Sequence, residues 1–362
     1  MNSLHAVVMA GGSGTRFWPA SRAARPKQFL PLADGKPMIE ATIDRLAGLC
    51  DADHVWVATS KKLGKPITKL LPSLPKDRLV LEPEARDTAP CIALAEATIA
   101  AVDPEATMVV LPADHVIAPV DAFQGMLREG AAIAQDGATL VTFGVPPTHA
   151  ATGYGYVECG APLTGRSLPS FAVRSFREKP DRATAEGFLK SGSFLWNSGI
   201  FVWRVDAILR AMRAADAELG AAADAMLAAA RKKEKAALQR AFLQAPKRSI
   251  DYAVMEKAPQ VAVVRAPIRW DDVGSFPALG AIAPADADGN VAVAANGADH
   301  VVLQSRGNVV YADGDRTVAL FGVHDLVVVA VDDAVLVCPK DKAQDLKALV
   351  EHVRASGRQD RL

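Results

Sequence analysis

Between residue 6 and about residue 144, short apolar runs alternate with amphipathic stretches, and this alternation restricts the fold more than any other feature of the chain. Residues 6–10, 54–59, 79–82, 107–111 and 139–143 are too short for globular helices, so they read as strands. Residues 38–49, 88–102 and 122–135 carry helical periodicity between them. Strands and helices alternating at this spacing predict an α/β domain, doubly wound around a mostly parallel, Rossmann-like sheet. In such sheets ligands gather beyond the carboxyl ends of strands. Two loops stand at such ends, residues 11–16 and residues 112–115.

The first loop is rich in glycine. The opening strand runs through Ala10 into Gly11, Gly12, Ser13 and Gly14, which lets the backbone turn sharply and approach a ligand with no Cβ in the way. Consecutive N–H groups in such a turn form an anion-binding concavity. Thr15 and Arg16 follow, and Arg25 and Lys27 stand a short way on, so the stretch predicts a polyphosphate site. A P-loop would need Gly-Lys-Ser/Thr where Thr15-Arg16-Phe17 stand, and a dinucleotide fingerprint needs glycine or alanine in place of Phe17. Neither motif fits.

Composition sets the outer limits. Lysine plus arginine equals aspartate plus glutamate, 41 each, so no global field draws nucleic acid or an anionic membrane. Phosphate chemistry must then use local cations. Cys50, Cys91, Cys159 and Cys338 are scattered without a Cys-x-x-Cys pair, consistent with thiols in a reducing compartment. There is no signal-peptide pattern and no apolar stretch near the ~20 residues that cross a bilayer. A cytoplasmic protein is the expectation.

Several downstream segments carry candidate residues. Asp114 follows the strand 107–111 and can hold Mg²⁺, which takes one or two carboxylates plus substrate phosphates, or cap a turn. Asp87 or Thr88 can cap the helix that follows. Residues 152–158 alternate glycine and tyrosine like a strand passing close to a ligand, or a bulged strand. Glu178 and Lys179 end a strand at Pro180 and, on residue type alone, read as a solvated pair. Residues 205–244 are alanine-rich and predict two or three helices, broken at Gly220. Residues 249–257 predict a further helix capped by Ser249; Asp251 could be functional, but core packing and capping explain the segment. Asp271 and Asp272 precede a glycine turn and serve either that turn or a cation. After a polar linker, short β runs from residue 291 to 338 at eight-to-ten-residue spacing predict a small all-β module. The domains are therefore drawn at 1–283 and 284–362.

The segment GGSGTRFWPASRAARPKQFLPL resembles the N-terminal signature of the mannose-1-phosphate guanylyltransferases, which make GDP-mannose and pyrophosphate from GTP and mannose 1-phosphate. Pro26-Lys27-Gln28-Phe29, the segment around Asp87-Thr88-Ala89-Pro90, Leu111-Pro112-Ala113-Asp114-His115 and Trp270-Asp271-Asp272-Val273-Gly274 are similar to further family segments, and residues 152–158, 172–179 and 196–203 resemble its sugar-phosphate pocket in the right order. The resemblance implies a nucleotidyltransferase domain followed by a β-helix-like module and closing helix. It implies that Ala10 to Arg16, Asp87, Thr88 and Asp114 bind the nucleotide, although Asp87 stands where the family has asparagine. Gly153, Glu178, Lys179 and Asn197 would bind the sugar phosphate, and Mg²⁺ would sit on Asp114 and Asp272, with Asp271 in a variable position. Arg16, Lys27, Asp114 and Asp272 would carry catalysis in one pocket. The β module would pack on the first domain or on a second subunit, giving a homodimer. The alternatives are a uridylyl- or thymidylyltransferase for another sugar 1-phosphate, or a non-catalytic sensing subunit of the same fold.

Overall fold

The computed structural model describes all residues except Met1, Asn2, Ser13, Ala33 and Asp34. The chain divides into two compact units, one holding the chain up to Gly11 with Ile43–Pro112 and Ala118–Trp270, the other Gly12–Thr42, Ala113–Ile117 and Asp271–Leu362. The predicted boundary after residue 283 falls within the second unit.

The first unit is built on a nine-stranded sheet. Its strands are β1 (Leu4–Met9), β2 (Val55–Ser60), β3 (Leu79–Glu82), β4 (Thr107–Pro112) and β5 (Leu140–Val145). They are followed by β6 (Tyr156–Pro162), β7 (Ser170–Arg177), β8 (Phe194–Arg204) and β9 (Val261–Arg265). The order across the sheet is β3-β2-β1-β4-β8-β5-β9-β7-β6. β7 and β8 run against the other strands, so the sheet is mostly parallel. Neighbouring residues on a strand point to opposite faces, and Ala6, Val7 and Val8 of β1 are all fully buried. Both faces of the sheet are therefore covered, which explains why these strands read as unbroken apolar runs.

Helices follow the predicted pattern, with corrections at their ends. They are α1 (Met38–Asp44), α2 (Lys61–Leu70), α3 (Thr88–Ala100) and α4 (Val120–Ala134). α1 stops short of the predicted residue 49. Beyond it the chain closes separate tight turns, Leu46 N to Ile43 O and Leu49 N to Leu46 O. The predicted strand at 152–158 begins only at Tyr156. After α5 (Arg182–Ser191), the alanine-rich region forms α6 (Val205–Ala215), α7 (Ala217–Arg231) and α8 (Lys235–Gln244). The break lies at Asp216, whose side chain caps α7 by accepting from Leu219 N at 3.1 Å, and not at Gly220. Residues 251–255 form a π-helical turn rather than the predicted α-helix.

In the second unit the chain coils with an 18-residue repeat. β10 (Val291–Ala295), β12 (Val309–Asp313) and β14 (Leu326–Val331) pair in parallel, Val291 with Val309 and Val309 with Val327. β11 (Asp299–Leu303) and β13 (Thr317–Phe321) pair likewise, and β15 (Ala334–Pro339) closes antiparallel on β14. Asn308 Nδ2 donates to Asn290 Oδ1 at 2.8 Å, and Asn308 Oδ1 accepts from Leu326 N at 3.0 Å. This ladder satisfies the turns where each coil begins, and the module is the predicted β-helix. The core of the coils and of the closing helix α9 (Leu346–Ala355) is continuous with Phe17, Leu30, Leu32 and Met38. Among the described residues no helix is long and apolar enough to cross a membrane.

Gly220 marks a close approach of α6 and α7, because a Cβ there would lie 2.6 Å from the backbone Cα of Arg213. Alanine gains about 1 kcal/mol in intrinsic helix propensity over glycine, whereas overpacking against backbone costs about 1–3 kcal/mol. Gly220→Ala is therefore expected to lower stability, by up to ~2 kcal/mol in urea denaturation. A variant more stable than the parent would show that the two helices separate at little cost.

Candidate active site

The predicted site residues fall into two groups, one within each unit. In the second unit the glycine loop continues as Gly12 at φ 90° and Gly14 at φ 58°, with Ser13 outside the described residues. Gly14 opens a short 3₁₀ turn, Thr15–Phe17, whose first N–H groups have no partner inside the turn. Arg16 is exposed, and Phe17 is buried against Phe276 with ring centroids 4.8 Å apart. A Cβ on residue 14 would lie 2.6 Å from Lys27 Cβ, so glycine here lets the loop sit directly on Lys27.

Lys27 is the centre of this group. Its side chain is only 7% exposed, and Nζ donates to Asp114 Oδ2 at 2.9 Å, to the Asp114 carbonyl at 3.0 Å and to the Asp272 carbonyl at 2.5 Å. Burial pushes the Asp114 carboxyl up, but the Lys27 ammonium and His115 outweigh it and hold the group below the usual carboxylate range. Asp114 is thus ionised at neutral pH. Next to Asp272, Val273 adopts φ 46°, an uncommon conformation for a β-branched residue. Asp271 Oδ1 accepts from Val273 N at 2.6 Å and fixes this turn. Asp271 therefore serves the backbone, as one of its two sequence readings had it.

Asp114 and Asp272 are tied to one ammonium and offer hard carboxylate oxygens. Among the described residues no larger cluster of His, Cys, Asp or Glu suits a metal. Two carboxylates, with phosphates and water completing the shell, are the usual protein share for Mg²⁺, so the donor set fits that ion. Arg25 is differently engaged than the sequence led us to expect. Its Nη1 pairs with Asp313 Oδ2 of β12 at 2.7 Å, so this cation anchors the β-helix rather than standing beside the loop.

The first unit holds Ala10, whose N–H donates to Ala58 O at 2.7 Å, and Gly11, which is exposed. Asp87, at φ 69°, spends Oδ1 on Thr88 N at 2.8 Å as the cap of α3. Thr88 Oγ1 accepts from Ile250 N at 2.8 Å. Gly153 lies exposed in a bend. Glu178, its side chain 9% exposed, receives Lys179 Nζ at 2.8 Å. Lys179 takes φ 46°. Burial lowers its affinity for the proton, but Glu178 and Asp251 overcome this and hold the ammonium above its ordinary range. Asn197 Oδ1 accepts from Thr142 Oγ1 at 2.9 Å, and its Nδ2 donates to Asp251 Oδ1 at 2.9 Å. The sequence left Asp251 between function and packing, and here it joins Glu178, Lys179 and Asn197. Sequence reasoning passed over the ring cluster of Tyr154, Trp196 and Trp270, where Tyr154 meets each tryptophan edge-on at 5.1 Å.

The nucleotidyl transferase family model matches residues 5–289, and that of the MannoseP isomerase/GMP-like beta-helix domain matches residues 298–353. The chain is 40% identical to the xanthan biosynthesis protein XanB of Xanthomonas campestris pv. campestris strain B100, over 99% of this chain and 75% of that protein. It is 37% identical to the mannose-1-phosphate guanylyltransferase of Escherichia coli K12, over 99% and 75% respectively. A crystal structure from Thermus thermophilus, described as a mannose-1-phosphate geranyltransferase, superposes with a TM-score of 0.87 at 36% identity, covering 97% of this chain and 99% of that one. With the β-helix, the glycine loop and the Lys27–Asp114 pair in place, the chain belongs to the mannose-1-phosphate guanylyltransferase family of nucleotidyltransferases.

Proposed function

We propose that the protein transfers GMP from GTP to mannose 1-phosphate, releasing pyrophosphate and GDP-mannose. The observation that carries this reading is the Lys27 ammonium, buried and bonded to Asp114 and to the backbone of Asp272. The sugar phosphate is mostly dianionic at neutral pH, since its second pKa is about 6. Its oxygen attacks the α-phosphorus of GTP, the bond from that phosphorus to the bridging oxygen breaks, and the electron pair leaves with pyrophosphate. No general base is required. The obstacle is mutual repulsion of anions, so the protein contributes positioning and charge neutralisation.

In this scheme the backbone N–H groups of the glycine loop and Arg16 hold the triphosphate and the departing pyrophosphate, and Lys27 neutralises charge at the α-phosphate. Lys179 holds the sugar phosphate, while Glu178, Asn197 and Gly153 orient the hexose. Asp87 and Thr88 are assigned to the nucleotide base side. Asp114 and Asp272 would hold Mg²⁺, which when bound supplies charge neutralisation for the phosphates. Within this scheme residues 1–283 are the proposed catalytic domain and 284–362 the β-helix module.

Lys27→Ala and Asp272→Asn are each expected to lower turnover by at least about 10²–10³-fold, the usual loss when one preorganised charge-stabilising group is removed. Circular dichroism should show both variants folded, and turnover like that of the parent would remove the residue from the mechanism. Asp271→Asn keeps a carbonyl acceptor for Val273 N and should leave turnover within about threefold; a loss matching Asp272→Asn would reverse the two assignments. Pyrophosphate release with GTP, ATP, UTP and dTTP, each with mannose 1-phosphate, tests the substrate. GTP is expected to dominate, and activity should vanish with chelator and return with Mg²⁺. Preference for UTP or dTTP would replace the guanylyl reading.

A further inference from the structure

The carboxylate of Asp251 has no structural task that calls for a charge. Its side chain accepts from Asn197 Nδ2, a bond that a neutral amide would accept as well. Its position is also costly, because burial and the neighbouring Glu178 carboxylate raise its pKa to about 7. Lys179, Tyr252 and Glu256, whose Oε1 accepts from Glu178 N at 3.2 Å, are further titratable groups at this cluster. A half-buried carboxyl set beside a second one against electrostatic preference is the pattern of binding sites.

Its setting is firmly built. Asp251 begins the π-helical turn Asp251–Met255, a conformation frequent at functional sites. The turn is pinned to the start of α3 by Ile250 N on Thr88 Oγ1 and by Ala89 N on Arg248 O at 3.1 Å. The Thr142 hydroxyl holds Asn197 Oδ1, which directs the amide N–H₂ toward Asp251. Room beside the cluster is kept by Gly155, where a Cβ would lie 2.4 Å from Glu178 Oε2 and 3.3 Å from Asn197 Cβ. Two carboxyl groups and an amide so arranged match the donor and acceptor pattern of a polyhydroxylated ring.

We infer that Asp251 is a sugar-binding residue whose carboxylate takes a hydroxyl of the hexose 1-phosphate and so sets which hexose is accepted. The inference rests on the proposed reading of Glu178, Lys179 and Asn197 as the sugar-phosphate group. A site that hydrogen-bonds a substrate hydroxyl discriminates against the analogue lacking it.

The test is steady-state kinetics of Asp251→Ala with mannose 1-phosphate and its 2-, 3-, 4- and 6-deoxy analogues. The expected result is a rise of about 10- to 100-fold in KM for mannose 1-phosphate, the range for a hydrogen bond to a charged group, with KM for GTP unchanged. One deoxy analogue, penalised by the parent enzyme, should lose that penalty in the variant. If every analogue keeps its full penalty in the folded variant, Asp251 touches no hydroxyl and the inference falls. Asp251→Asn, which preserves shape and the bond to Asn197, provides the same test should the alanine variant fail to fold. Glu178→Gln and Asn197→Ala separate the two readings. If both leave the sugar KM unchanged, the sugar-phosphate assignment itself fails; if they raise it and Asp251→Ala does not, only the present inference is lost.

Discussion

A buried ammonium ion must have its protons bound, and Lys27 meets that demand with oxygens from two segments far away in sequence. Asp114 is 87 residues along the chain and Asp272 is 245. A lysine ammonium has three protons and no acceptor, so the Asp114 carboxylate, the Asp114 carbonyl and the Asp272 carbonyl account for all of them. This makes Lys27 a cross-link that sets the positions of both acidic residues. It also defines what the proposed role requires: to meet a phosphate, Lys27 must exchange a protein oxygen for a phosphate oxygen. Such an exchange trades one charge-assisted bond for another, so the ammonium stays paired on both sides of it.

The β-helix supports the same cross-link from behind. Phe17 meets Phe276, and Phe276 meets Tyr311 of β12 with centroids 6.2 Å apart. Around this apolar spine, Arg25 pairs with Asp313 and Arg22 with Asp333, each at 2.7 Å, and Trp18 Nε1 donates to the Arg361 carbonyl at 2.8 Å. Asp313 is itself buried and receives Asn296 Nδ2 at 2.6 Å. The Phe-Trp-Pro-x-Ser-Arg and Pro-Lys-Gln-Phe words of the sequence thus encode a packing surface as well as the proposed phosphate site. Phe17, Trp18 and Arg22 are spent on packing the segment within the second unit, while Lys27 is bonded to Asp114 and Asp272.

What the sequence made legible was whatever depends on local pattern. Strand alternation located β1 to β5, and turn spacing announced the coils. Helix boundaries were misplaced where tertiary contacts override propensity. Gly220 looked like a breaker because glycine is a poor helix former, yet it lies inside α7 to let Arg213 approach, and the cap at Asp216 made the break. The π turn at 251–255 has no compositional signature, so Asp251 looked like a residue on an ordinary helix. Arg25 and Lys27 are both cations two positions apart, and nothing local distinguishes them. Their roles diverge because Asp313 waits for one and Asp114 for the other.

Asp87, Lys179 and Val273 have positive φ, and each stands at or next to a proposed ligand contact. Lys233, Asn296, Gln304 and Asp325 share the conformation away from any proposed contact, and for asparagine and aspartate the short polar side chain tolerates it. Val273 has no such excuse. A β-branched residue held there costs about 1–3 kcal/mol, and within the turn the Asp271 bond to its N–H offsets only part of that. Its side chain, however, is fully buried in the core shared by Phe17 and Phe276, and burying a valine contributes about 1.5–3 kcal/mol. The two effects are of equal size and opposite sign. The hydrophobic core therefore holds the residue after Asp272 in a conformation it would otherwise leave, and the direction of the Asp272 carbonyl toward Lys27 follows from that core.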